Sequence, residues 1–143
     1  METGHVRIAR LISVVDCGKP VNPKIVETQI SGATMMQLGF TMFEKMHLDA
    51  GQVTNASLAD YKIPGILDVP QVMENEAVAA NQSNGPFGAK GVGETATFCV
   101  SPAIANAIED ACGVRVTELP LNAEAVYRAI RAKNSKPLED DQQ

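Results

Sequence analysis

The residues best placed to do chemistry lie in one short run. Gly85, Pro86, Gly88, Gly91 and Gly93 fall within nine residues, and the run closes on a single carboxylate, Glu94. Glycine lets backbone turn with positive φ or lie close against a ligand. A carboxylate at the end of such a loop stands beside whatever the backbone is built to touch, and a positioned carboxylate is a competent general base. The N–H groups of Gly91, Val92 and Gly93 carry almost no side-chain cover, and such groups bind phosphate or ring oxygens as a backbone nest does. A plainer reading is a tight turn that needs glycine for φ alone, with Glu94 at the positive end of a following helix. A nucleotide phosphate loop does not fit, because that motif requires Ser or Thr after its lysine, and Lys90 is followed by Gly91. Lys90 itself is open between a solvated loop charge and a cofactor contact.

A second candidate lies upstream. Asn22 and Pro23 form a cap and first-turn pair that predicts a helix to about residue 45, with Val26, Ile30, Ala33, Phe40 and Phe43 at helical spacing. Gln29, Gly32, Met36 and Gly39 share one face of it. Either the glycines permit close helix packing with Gln29 at the rim, or the Gln29 amide reaches a ligand in a groove. Phe87 and Tyr61 are expected in the core, with a pocket-lining role as the alternative.

Four ordered blocks carry a family resemblance over nearly the whole chain. They are Val15-Asp-Cys-Gly-Lys-Pro-Val-Asn-Pro23, Gln29-Ile-Ser-Gly-Ala33 running on to Gln37-Leu-Gly39, Asp60-Tyr-Lys-Ile-Pro64, and Gly-Ala-Lys-Gly-Val-Gly-Glu ending at Glu94. Together they resemble the molybdopterin-binding subunit of the molybdenum hydroxylases, the xanthine dehydrogenase and aldehyde oxidase family, in its carboxyl-terminal portion. The resemblance implies oxidative hydroxylation of a nitrogen heterocycle or an aldehyde, with water as the oxygen source and Glu94 as the base that takes the proton. It implies a molybdenum–molybdopterin cofactor, the cytosine dinucleotide form included, contacted by Gln29, Lys90, Gly91, Val92 and Gly93. Iron–sulfur (2Fe-2S) and FAD centres belong, on the same grounds, to partner domains or subunits, and the remainder of the molybdopterin subunit is a further partner. Ser31 departs from the glutamate frequent in the family at that position.

Composition narrows the alternatives. At 143 residues and 45% hydrophobic, the chain suits one domain with a real core. The net charge of −5, with four Phe, two Tyr and no Trp, gives no reason to expect nucleic acid. No apolar run approaches the ~20 residues of a membrane helix, and no secretory leader is seen at Met1. Cys17, Cys99 and Cys112 have no C-x-x-C spacing and only His5 and His47 accompany them, so no protein-ligated zinc or iron–sulfur site is encoded. We expect the cysteines to be small buried hydrophobes in a cytoplasmic protein.

The elements that must position these residues follow from pattern and punctuation. Residues 5–15 predict a strand with Val6, Ile8, Arg10, Ile12 and Val14 on one side and an apolar far end on both faces. Residues 46–57 suggest a short strand with a turn at Asp49-Ala-Gly51, and Pro64 and Pro70 punctuate a stretch of little helix character. Residues 71–79 predict a strand, and 94–111 a helix restarted at Ser101-Pro102 and stopped by Gly113. A short strand at 114–119 and a helix from Asn122 to about residue 132 follow. The fold class is therefore α+β, or mixed α/β, with about three helices. Residues 1–133 form one cofactor-binding domain and 134–143 a polar disordered tail. Glu2-Thr3-Gly4 reads as a hairpin tip whose first strand is missing, leaving an unpaired apolar edge. Two rivals stand beside the enzyme reading: an assembly piece that binds a partner chain without completing a site, and a small phosphate- or nucleotide-binding domain. The substrate is not legible from the sequence.

Overall fold

The computed structural model describes residues 3–80 and 82–135. Its frame is a two-stranded parallel ribbon in which β1 (Arg10–Asp16) pairs in register with β4 (Val72–Val78). Between them run α1 (Pro23–Met42), a small hairpin of β2 (Leu48–Asp49) and β3 (Gln52–Val53), and the single-turn α2 (Leu58–Tyr61). After β4 come the glycine loop, a 3₁₀ turn at Thr95–Thr97, α3 (Val100–Cys112) and α4 (Ala123–Ser135). Helix and strand are mixed, as expected, with one helix more than anticipated.

Local chemistry sets most boundaries. Asn22 caps α1 by accepting the Ile25 N–H at 3.3 Å, with Pro23 in the first turn. Gly113 ends α3 in the left-handed region at φ 68°, as a C-terminal glycine does. Asn122 accepts the Ala125 N–H at 2.9 Å and so starts α4. The hairpin turns on Ala50 and Gly51, both at positive φ, the geometry a two-residue turn requires. Ser57 caps α2 within a stretch expected to lack helix.

α1 packs along one face of the ribbon and divides the core into two clusters. The larger joins Leu11, Leu38 and Met42 to Ile104 and Ile108 of α3 and Val126 and Ile130 of α4. The smaller joins Val15 and Cys17 to Val26, Ile30 and Ala33, with Ala96 and the partly buried Val92 against it. That second cluster lies under the glycine loop and couples the loop's position to α1 and β1.

Several expectations are corrected. β1 begins at Arg10 rather than His5, and its inward residues are Leu11, Ser13 and Val15. Ile12 and Val14, on the other side of the strand, are 50% and 57% exposed. α1 covers only one face, and strict period-2 alternation sends the other outward. Inward Ser13 is satisfied by the Thr34 hydroxyl at 2.8 Å. Residues 114–119 form no strand, because no described strand lies beside them; Val114 instead drops its side chain into the larger core. Ser101 does not cap α3, since Cys99 occupies that position; the Ser101 hydroxyl meets Gln37 at 2.6 Å and Thr41 at 2.7 Å. α1 stops at Met42, short of residue 45. Of the cysteines only Cys17 is buried, and Cys99 is exposed. Gly4 turns at φ 68°, and a side chain there would strike the Ala123 carbonyl and Tyr127. Its neighbour Glu2 lies outside the described residues, as do residues 136–143 of the expected tail, whereas Asn134 and Ser135 continue α4.

The face assignment is testable by denaturant unfolding. Leu38 is 1% exposed, so Leu38→Ala should cost about 2–5 kcal/mol. Ile12→Ala in the same chain should cost under about 1 kcal/mol, because half its surface already meets water. Equal losses would mean that the ribbon's faces are misassigned.

Candidate cofactor site

The site is assembled where β1 runs out. Beyond Asp16 the chain turns through Gly18 at φ 60°, and the Asp16 carboxylate closes that turn by accepting the Gly18 N–H at 2.9 Å. Residues 17–19 then dock against the glycine loop. The Lys19 N–H donates to the Gly88 carbonyl at 2.7 Å, and the Lys90 N–H donates to the Cys17 carbonyl at 3.0 Å. A side chain on Gly18 would collide with the Gly88 carbonyl, so this glycine is dictated by the close approach of two backbones. The Lys90 ammonium reaches back to Asp16 at 2.5 Å. That ammonium first, then the Gly18 N–H, holds the Asp16 carboxyl below the ordinary carboxylate range.

This docking places the loop beside the first turns of α1. A groove of about 410 Å³ opens between them, and Gln29, Lys90, Val92 and Gly93 all line it, together with Asn22 and Lys19. Four of the six predicted site residues are thereby brought to one place from sequence positions about sixty apart. Gly91 and Glu94 flank the lining residues without joining them. Glu94 is exposed and sits at the start of the 3₁₀ turn, its carbonyl accepting the Thr97 N–H at 3.0 Å. Nothing among the described residues removes its carboxylate from water.

The glycines of the loop separate into two kinds. Gly88 lies at φ 78°, and a side chain on Gly85 would strike the Ala89 carbonyl, so both serve the turn itself. Gly91 and Gly93 have neither positive φ nor any atom within 4 Å of where a Cβ would stand. Turn geometry therefore does not explain them. Among the described residues, the N–H groups of Gly91, Val92 and Gly93 meet no acceptor and the Gln29 amide makes no hydrogen bond. The Thr95 hydroxyl is buried without a partner. Free N–H donors, an unengaged amide and open space where side chains would stand fit an oxygen-rich organic group such as a pterin with its phosphate. Lys90 is the more constrained contact, since its N–H is taken by Cys17 and its ammonium by Asp16.

Other expectations resolve differently. Phe87 is not a core aromatic; it is 92% exposed and held at φ 54°, because the Pro86–Gly88 turn projects it outward. Tyr61 is half-buried, and burial, then a hydrogen bond to Glu44, pushes its phenol above the ordinary range. Of the two glycines on the Gln29 face, Gly39 packs closely on Glu44 and Pro64 while Gly32 is open. Ser31 faces β4, where Asn75 donates to its hydroxyl at 2.9 Å, so its departure from the family pattern lies off the groove. Asp16 was not singled out from sequence. Its one signal is membership of the block at 15–23, since its partner Lys90 lies 74 residues away.

A sequence model of the molybdopterin cofactor-binding domain matches residues 1–70. The chain is 37% identical over 129 residues to a probable hypoxanthine oxidase of Escherichia coli, covering 90% of this chain and 14% of that protein. It is 39% identical over 124 residues to a putative xanthine dehydrogenase molybdenum-binding subunit from the same organism, covering 85% and 16%. Among solved structures, a CO dehydrogenase from Oligotropha carboxidovorans superposes with a TM-score of 0.82 at 27% identity, over 93% of this chain and 17% of that one. The chain belongs to the molybdopterin-binding family of the xanthine dehydrogenases and aldehyde oxidoreductases. It spans about a sixth of the length of the family members it matches. No helix among the described residues is long and apolar enough to cross a membrane.

The two kinds of glycine predict opposite behaviour on substitution. Gly18→Ala forces a left-handed alanine against a carbonyl and should cost at least about 1–2 kcal/mol in thermal or denaturant unfolding. Gly91→Ala meets open space and should leave stability within about 0.5 kcal/mol of the parent. A large loss for Gly91→Ala would show that this glycine serves the fold.

Proposed function

We propose that this chain is the carboxyl-terminal part of the molybdenum-cofactor subunit of a hydroxylase, supplying the catalytic base Glu94 and part of the cofactor cradle. The convergence of Gln29 with Val92 and Gly93 on one groove, immediately before Glu94, carries this reading. Gln29, with the N–H groups of Gly91, Val92 and Gly93, holds the molybdopterin, and Lys90 contributes from the rim. When bound, the molybdenum–molybdopterin group supplies the two-electron oxidant, and iron–sulfur and FAD centres on other domains or subunits carry the electrons away. The substrate is a nitrogen heterocycle or an aldehyde, and the incorporated oxygen comes from water.

Within that reaction Glu94 takes the proton of the attacking hydroxyl. Its position one residue past Gly93 ties it to the cradle, so base and cofactor move as one piece. The exclusion of water around it must come from the rest of the subunit, because the carboxylate is exposed in this chain. The same exposure, with that of Ile12 and Val14, keeps one rival reading in view: a piece that docks on a partner without completing a site. Molybdenum that co-purifies with the assembled enzyme distinguishes the two, since a working subunit carries the metal.

Three outcomes follow. The chain by itself should retain no stoichiometric molybdenum and show no turnover with an artificial electron acceptor; elemental analysis with a dye assay checks both. In the assembled enzyme, Gln29→Ala removes a polar partner worth about 1–3 kcal/mol, so molybdenum occupancy should fall while the fold persists. Glu94→Gln keeps shape and hydrogen-bonding capacity but loses the basic oxygen. At matched molybdenum occupancy, its reductive half-reaction should slow by about 10²–10⁴-fold. A rate within about threefold of wild type would remove Glu94 from that role.

A further inference from the structure

The loop that carries the free N–H groups is not rigid by its own composition, since Gly85, Gly88, Gly91 and Gly93 all lie in it. Its order comes from outside, through residues 16–19. Two backbone hydrogen bonds make the join, Lys19 to Gly88 and Lys90 to Cys17, and Gly18 pairs with Ala89 as an isolated antiparallel bridge. One side chain touches both partners of that join. Asp16 Oδ1 accepts from the Gly18 N–H at 2.9 Å, and Asp16 Oδ2 accepts from Lys90 Nζ at 2.5 Å.

We propose that Asp16 is a positioning residue for the cofactor loop: its carboxylate locks the Gly18 turn and the Lys90 side chain together. Residues 91–93 and Gln29 are thereby held on one groove. The inference rests on the cofactor reading of that groove. Asp16 touches no reacting atom and lies outside the groove's lining. Its two oxygens have different work, and substitution separates them. Asn at this position keeps an acceptor for Gly18 and loses the charge that holds Lys90, whereas Ala loses both. The pair is half-exposed, with 42% of the Asp16 side chain and 33% of the Lys90 side chain open. The contribution to global stability is therefore small, and the effect is local to the loop.

The test has two parts. Hydrogen exchange on the chain itself reads the join through the Lys19 and Lys90 amides. Asp16→Asn and Lys90→Met should each speed exchange there by about threefold or more, and Asp16→Ala further, with α3 and α4 unchanged. In the assembled enzyme, the Asp16 variants should lose molybdenum faster on dialysis, while their rate per bound molybdenum stays at the wild-type value. The charge-swapped pair Asp16→Lys with Lys90→Asp should recover part of the retention. If Gln29→Ala sheds molybdenum but the Asp16 variants keep wild-type exchange and retention, the positioning role is wrong and the cofactor reading stands. If Gln29→Ala also retains molybdenum fully, both fall. A drop in rate per bound molybdenum for Asp16→Asn would contradict a positioning role and place Asp16 in the chemistry.

Discussion

Parallel pairing of β1 with β4 fixes where residues 16–19 leave the ribbon, and those residues fix the glycine loop. The loop has too many glycines to hold a shape alone, because each carries a large backbone entropy that something must offset. What offsets it is a short backbone join with Asp16 at one corner and the small core of Val15, Cys17, Val26 and Ile30 beneath. α1, which carries Gln29, is anchored to the same small core through Val26, Ile30 and Ala33. Position at the site is thus inherited from the ribbon rather than created within the loop.

The surfaces left open point outward from this frame. A parallel ribbon is ordinarily covered on both faces, yet here Ile12 and Val14 meet water while Leu11 and Val15 do not. Glu94 is exposed, the Gly91 and Gly93 backbones face open space, and Phe87 is projected into solvent on a left-handed turn. A non-glycine residue held at positive φ costs of order 1–3 kcal/mol and persists where the surroundings or a function require it. These features suit a chain that spans about a sixth of its relatives' length. In the proposed reading, this chain supplies the cradle and the base of a larger site.

Sequence legibility followed the range of the interactions. Asn22-Pro23, Gly113 and Asn122 mark helix ends through hydrogen bonds within three or four residues, and each boundary fell where those residues put it. The inward face of β1 depended on which side α1 would cover, a nonlocal fact that the alternation of Ile12 and Val14 could not reveal. Residues 114–119 have strand-like composition but no neighbour to pair with, so tertiary context overrode propensity. The groove was half legible. The glycine run and Gln29 stood out as separate features, and only the fold showed that they share a wall. The Asp16–Lys90 contact was invisible, since nothing in spacing links two charges so far apart, and Phe87 was misplaced because apolar character outweighed the turn around it.

We propose that the groove between α1 and the glycine loop cradles the molybdopterin. A structure of the assembled enzyme with its cofactor bound tests this most directly. The account predicts cofactor oxygens within hydrogen-bond distance, about 2.7–3.2 Å, of the Val92 or Gly93 N–H and of the Gln29 amide, with the Glu94 carboxylate facing the metal. A cofactor seated elsewhere, with these donors still open or capped by protein, would contradict it.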